Sequence, residues 1–374
     1  MTATSCRLVC PRCGYEASEG ELACPRCGSF LVYVCHDVRW TVRRGTPSMW
    51  RYADMLAFHP LRVVTAGEGY TPLVRVGGTP VKLETRNPTG SYADRASSAI
   101  VSALPLSSYK VGYAVDFAAS IAFYGRLVGA SVTVVSAPES LDPFDVISMA
   151  RNGAQIEFAP AGSPELRYDN QYTVEGLKTI SFEILEQGRG PDRVFVPAST
   201  GLLAFAMWKG FSEGAEALGA SEPELVAVRV KGSDEPYAVK LARGIKVVSV
   251  DADEVISSTI KLAERGIYVR PLAAAAFAAA EAEGGLAVIT GGLRRPELSH
   301  RLPSDLQSKI LDLLSSSPSG MTAYDVWQSL AGYTLRGVYK ALRALVDEGK
   351  ACVSYSLKGR RKVRVYRPCA ADKA

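Results

Sequence analysis

Between residues 63 and 296 the chain alternates short β-branched runs with longer stretches of helical length. Eight runs have the apolar density of buried strands: VKLE (81–84), KVGYAV (110–115), SVTVVS (131–136), QIEFA (155–159), RVFVPA (193–198), LVAVRV (225–230), KVVSV (246–250) and LAVIT (286–290). Segments between them, such as 118–129 and 202–214, are helical in length and end in glycine. Strands that alternate with helices predict an α/β body with mostly parallel sheets.

After residue 303 the pattern changes. In LPSDLQSKILDLLSSS, Leu306, Ile310, Leu313 and Leu314 share one helical stripe, and Ser-Pro-Ser-Gly (317–320) ends it. A second helix is predicted after Thr322, with Val326, Trp327 and Leu330 on its apolar side. A third, TLRGVYKALRALVDEG, sets Leu335, Val338, Leu342, Leu345 and Val346 against a face carrying Arg336, Tyr339, Lys340 and Arg343. Two alternating runs, ACVSYSL and KVRVYRP, meet at Lys358, Gly359, Arg360 and Arg361, which predicts a basic β-hairpin that includes Lys362 and Arg364. Three helices and a two-stranded hairpin resemble the winged helix-turn-helix domain of transcription regulators. That resemblance implies a helix in the DNA major groove, with the hairpin cations against the backbone.

The chain has 374 residues, well over two domains at ~150 residues each, so more than one folded unit is expected. The boundaries read as 1–38, 39–300 and 303–369. With 47% apolar and 22% charged residues, global disorder is excluded. The longest uncharged apolar stretch, 271–280, is shorter than the roughly 20 residues that cross a bilayer, and the N-terminus lacks the apolar core of a leader. A cytoplasmic protein with no membrane partner is expected. Net charge is +5, but it is unevenly spread: from residue 303 onward twelve Lys/Arg oppose six Asp/Glu, leaving the rest of the chain at −1. An anionic partner is therefore expected for the C-terminal unit alone.

Four of the eight cysteines lie in two CPRCG knuckles, Cys10 with Cys13 and Cys24 with Cys27. A Cys-x2-Cys turn puts two thiolates on one side of a tight loop, and two such turns complete a tetrahedral S4 site, for which zinc is the expected ion. A closed S4 site has no open position, so its role is structural. The alternative that the four knuckle cysteines are free or disulfide-bonded is disfavoured in a reduced cytoplasm, and Cys6, Cys35, Cys352 and Cys369 have no such spacing. The neighbours Cys35 and His36 cannot build a second metal cage alone.

The order of several motifs resembles the threonine synthases, among fold-type II pyridoxal-phosphate enzymes. SMWRY (48–52) is followed by GEGYTPL (67–73), VKLETRNPTGSYADR (81–95), VEGLKTISFEI (174–184), VPASTGLLAFAMWKGF (196–211) and VITGGL (288–293). The resemblance implies a two-lobed α/β body, and it places a Schiff-base lysine where this chain has Ala93. Alanine has no amine, so covalent attachment of pyridoxal phosphate is not expected. The family's asparagine to the cofactor's phenolic oxygen aligns near Phe117, whose phenyl ring cannot replace that bond. The Gly-rich phosphate turn becomes Ser199, Thr200, Gly201, Leu202 and Leu203. Here the leucines would crowd a phosphate, and Ser199 or Thr200 is expected to cap the following helix. Thr290 matches the position that contacts the pyridine nitrogen, and the segment 232–245 is shorter than the family pattern.

These departures make the body a degenerate ligand pocket, expected to sense a small metabolite or anion. The whole chain then reads as a DNA-binding regulator that acts as a homodimer on double-stranded DNA. One alternative is an active pyridoxal-phosphate lyase or synthase, in which Lys82, Lys178 or Lys209 substitutes for the missing amine. Another is a scaffold whose C-terminal unit binds protein.

Overall fold

The computed structural model describes residues 6–158, 164–188, 191–292, 305–317, 319–330, 333–358 and 361–369. The chain divides into two compact units, 1–294 and 295–374.

The first unit opens with a small antiparallel sheet in which β1 (Cys6–Val9) pairs with both β2 (Glu16–Ala17) and β3 (Val32–Cys35). It is tied to the body through apolar contact, with Phe30 and Val32 buried in the same cluster as Phe205 and Val196. The Phe30 and Phe205 rings meet edge to face at 5.2 Å.

The body has two lobes. The larger carries β4 (Leu73–Val76) and β5 (Thr79–Leu83), then α1 (Ala93–Ala103). The smaller is built from β6 (Ser108–Gly112), α2 (Phe117–Val128), β7 (Ser131–Ser136), α3 (Pro143–Arg151) and β8 (Gln155–Phe158). The chain returns to the larger lobe through α4 (Gln171–Gln187), β9 (Arg193–Pro197), α5 (Leu202–Leu218), β10 (Glu224–Val230), β11 (Lys246–Val250), α6 (Ala252–Glu264), α7 (Pro271–Glu283) and β12 (Leu286–Ile289). The large sheet runs β11-β10-β9-β12-β5-β4 and is parallel except for the β4–β5 pair, while the small sheet β6-β7-β8 is wholly parallel.

All eight expected strands are present. The apolar stretch 271–280 lies within α7, a core helix whose alanines pack on the large sheet. No helix among the described residues is long and apolar enough to cross a membrane. Helix α4 packs tightly on both sides. A Cβ at Gly176 would lie 2.4 Å from the Arg95 carbonyl oxygen in α1, and one at Gly210 of α5 would lie 2.4 Å from that of Lys178. Glycine at these crossings lets the three helices approach to backbone contact.

The second unit contains α8 (Asp305–Ser315), α9 (Ala323–Ser329), α10 (Leu335–Asp347), β13 (Ala351–Lys358) and β14 (Arg361–Pro368). Ile310, Leu314, Val326, Val338, Leu342 and Leu345 form its buried core together with Tyr366. Met321, before α9, bridges antiparallel to Tyr366 of β14 and adds a third short strand position to the hairpin. Thr322 and Asp325 form a reciprocal capping box on α9, and Thr334 caps α10 through the Gly337 N–H.

The four cysteines outside the knuckles form two disulfides, which their spacing did not indicate. Cys6 pairs with Cys35, its direct partner across β1 and β3, and Cys352 pairs with Cys369 across the base of the hairpin. Cys35 is thereby unavailable to join His36 in a metal site. Two disulfides also sit poorly with a reduced cytoplasm.

Candidate functional site

The two knuckles share one geometry. Gly14 and Gly28, both at positive φ, donate their N–H groups to the carbonyls of Cys10 and Cys24, closing each loop. The sulfurs of Cys10, Cys13, Cys24 and Cys27 all lie within 4.8 Å of one another, with Cys10 and Cys27 at 3.5 Å and Cys13 and Cys24 at 3.6 Å. A tetrahedral ion with metal–sulfur bonds of about 2.3 Å has sulfurs about 3.8 Å apart, so the cluster fits a metal of that size.

In the body, the surviving motifs converge on a fully buried charge network. Arg95 binds Glu84 with Nε and Nη2 at 2.7 and 2.8 Å, and Glu183 with Nη1 and Nη2 at 2.6 and 2.9 Å. Lys82 donates to Glu183, the Thr71 carbonyl and Gln187 at 2.7, 2.8 and 2.9 Å. Burial works against the charge on Glu183, but Arg95 and Lys82 together hold its carboxyl well below the usual range. Glu68 accepts from Ser98 and Tyr124, and Arg51 of SMWRY pairs with Glu186. These residues clamp α1 and α4 to the loop that carries GEGYTPL, so the retained motifs form the scaffold of the site.

The residues of the expected ligand pocket are different in kind. Ala93 is closed from solvent at the start of α1, in the cluster that includes Phe117 and on which Tyr168 packs. Phe117 is fully buried with its ring 5.2 Å from Tyr168, and the Tyr168 hydroxyl bonds that of Tyr92 at 3.1 Å. The residue that faces the polar end of this region is Asp116, one position before Phe117. It holds φ +67°, bonds Ser91, and lies so close to Gly291 that a Cβ there would be 2.5 Å from its Oδ2. Sequence reasoning missed Asp116, although an Asp directly before a helical pattern is itself an N-terminal signal. Thr290 sits beside it, its carbonyl accepting from the Tyr92 N–H at 2.9 Å.

The turn after β9 also departs from expectation. Gly201, at φ +84°, takes the N-cap position of α5, and the exposed Thr200 just before it accepts from the Leu202 N–H through its hydroxyl at 3.4 Å, so Thr200 does serve the first turn as expected while Ser199 does not. Leu202 and Leu203 do not crowd the turn, because both are drawn into the apolar cluster under α5. The turn is covered instead by the shortened segment, since a Cβ on Gly201 would lie 2.8 Å from Val239 and 3.0 Å from Pro236. None of the substitute lysines stands free to reach this region. Lys82 is held as described, while Lys178 and Lys209 both pair with Glu175 and Glu213. Ala93 and these three ion-paired lysines therefore offer no free amine for a Schiff base.

A second feature missed in the sequence ties the lobes together. Arg270, at the start of α7, reaches Asp116, Asp142 and Asp145 of the small lobe at 3.0, 2.6 and 2.9 Å. Burial raises Asp116 to about 6 in spite of Arg270, whereas Asp142, which is less buried, is lowered by Arg270. Asp94, beside Ala93, is raised to about 7 by burial although Thr89 and Ser120 donate to it.

Comparison with known proteins agrees with this architecture. A family profile described as pyridoxal-phosphate dependent enzyme matches residues 165–241. The threonine synthase of Methanosarcina acetivorans is 27% identical over 249 residues, covering 58% of this chain and 61% of the relative. That of Methanocaldococcus jannaschii is 27% identical over 255 residues, with 59% and 62% covered. The aligned stretch thus spans about three-fifths of the length of these relatives. The crystal structure of a pyridoxal 5'-phosphate-dependent aspartate racemase superposes with a TM-score of 0.52 at 16% identity, covering 60% of this chain and 90% of that one. The body has a fold-type II pyridoxal-phosphate enzyme fold.

In the second unit, α10 exposes Arg336, Tyr339, Lys340 and Arg343 while it buries Val338, Leu342 and Leu345, as its periodicity predicts. Arg364 is exposed on β14 opposite Tyr355, whose hydroxyl bonds the guanidinium and raises it. Arg360 lies outside the described residues, as do the side chains of Lys358, Arg361 and Lys362.

Proposed function

We propose that this chain is a DNA-binding regulator built on a threonine-synthase-like body without covalent cofactor chemistry. The observation that carries the reading is the exposed row of Arg336, Lys340 and Arg343 on α10, spaced three to four residues apart on one helical face. The unit's element order, with a basic hairpin after its third helix, supports a winged helix-turn-helix, and its excess of cations supports a polyanionic partner. Homodimerisation would present two such helices to a symmetric double-stranded site. The body's part is to hold a small metabolite or anion, and the S4 cluster holds structural zinc. With no amine at Ala93, no Schiff base forms there.

A second reading is an enzyme: a threonine-synthase-like pyridoxal-phosphate lyase. The comparisons favour it, because the family profile is that of pyridoxal-phosphate dependent enzymes and the relatives named above are threonine synthases. Borohydride reduction of the full chain with pyridoxal phosphate separates the two. The regulator reading expects no cofactor fixed to a specific lysine, and a stoichiometric adduct at one lysine would establish the enzyme.

A further inference from the structure

Where the N-terminal sheet meets the body there is a cleft of about 500 Å3 whose lining includes neither the S4 cysteines nor Ala93. Its aromatic walls come from three separate segments: Tyr33 of β3, Phe58 in the loop after the short helix 49–55, and Tyr172 in the first turn of α4. Glu19, Gly20, Ala57 and His59 complete the lining. The Phe58 and Tyr172 rings stand edge to face at 5.3 Å, and the hydroxyls of Tyr33 and Tyr172 are hydrogen-bonded. Thus three aromatic rings and one carboxylate line the cleft, with no Lys or Arg among the lining residues. The nearby Glu175 adds negative potential behind Tyr33, although Lys178 and Lys209 neutralise much of it.

We propose that this cleft binds a small organic cation, an ammonium or quaternary ammonium group, with Tyr33, Phe58 and Tyr172 as the aromatic box and Glu19 as counter-charge. Ring faces carry negative potential and attract a cation within about 6 Å of their centroids. An anionic ligand would meet Glu19 with no lining Lys or Arg to offset it, the one basic side chain there being the exposed imidazole of His59. The site does not rest on the proposed function, and because its walls belong to both the N-terminal sheet and the body, occupancy would stabilise their contact.

The test is calorimetric titration of the zinc-loaded full chain with choline, and with its uncharged isostere 3,3-dimethylbutan-1-ol. Choline should bind saturably at one site, and the isostere at least about ten-fold more weakly, the range of a partly desolvated cation–π contact. Glu19→Gln should weaken choline several-fold and Glu19→Lys more, with zinc content unchanged, since Glu19 is exposed. Tyr172→Leu should abolish binding. If that variant loses zinc, the two Glu19 variants decide. Absence of saturable choline binding, equal affinity for the isostere, or indifference to both Glu19 changes would overturn the proposal.

Discussion

The Nε of Arg270 lies 3.0 Å from Oδ1 of Asp116, and the two residues come from opposite lobes of the body. With Asp142 and Asp145 on its other nitrogens, this one guanidinium fastens the small lobe to the large across the region beside Ala93. Arg270→Ala leaves three carboxylates facing one another, one of them almost fully buried. Loss of one partner from a buried pair is costly, and with the partial exposure here we expect a destabilisation of about 2 to 4 kcal/mol in denaturant melts. Faster proteolysis of the small lobe should accompany it.

The pH dependence of stability follows from Asp94 and Asp116. Their folded values, about 7 and about 6, stand above the unfolded value of about 3.9, so between these limits the folded state binds more protons than the unfolded. Their contribution to stability is therefore present at low pH and declines as pH rises from about 4 to 7. Melts at pH 5 and 7.5 should differ by at least about 1 kcal/mol in favour of pH 5. Asp94→Asn should flatten that difference, and an unchanged slope would exclude Asp94 as its source.

Cys24→Ser should cost the protein its zinc, and the damage should reach the body because Phe30 and Val32 are part of its core. Metal analysis and thermal melting of the full chain check both statements. Retention of stoichiometric zinc, or loss of zinc with an unaltered body transition, would contradict them.

The central strands β5, β9, β10 and β12 were legible because each is an apolar run buried along most of its length, and the exposed edge strands β8 and β11 because their runs are β-branched or aromatic. Edge strand β4 was not, since Leu73 and Arg75 face solvent and LVRV has neither a continuous apolar run nor a clean alternation. In the C-terminal unit a strong 3.6-residue period separated Val338, Leu342 and Leu345 from Arg336, Lys340 and Arg343, and the structure keeps that division. At the candidate site Ala93 was readable from its neighbours NPTGSY and DR. The Arg270 cluster was not, because its partners are 125 to 154 residues away and only the fold brings them together. The disulfides, with separations of 29 and 17, were hidden for the same reason: pairing depends on strand register rather than spacing.

On α10, Arg336→Ala and Arg343→Ala should each cost about 1 to 3 kcal/mol on a preferred DNA site and little on random duplex, as expected for base contacts. Arg364→Ala on the hairpin should weaken binding to all sequences alike and make it less salt-dependent, as expected for a phosphate contact. Fluorescence anisotropy of the full-length variants on selected and random duplexes checks the contrast. The reverse pattern would exchange the roles of helix and hairpin.

The central claim is tested most directly by the equilibrium affinity of the full chain for duplex DNA measured across a series of salt concentrations. If one chain neutralises about five phosphates, log K should fall against log salt with a slope of roughly −4 to −5, and more steeply for a dimer. No measurable affinity at low salt, or an affinity that does not change with salt, would contradict the account.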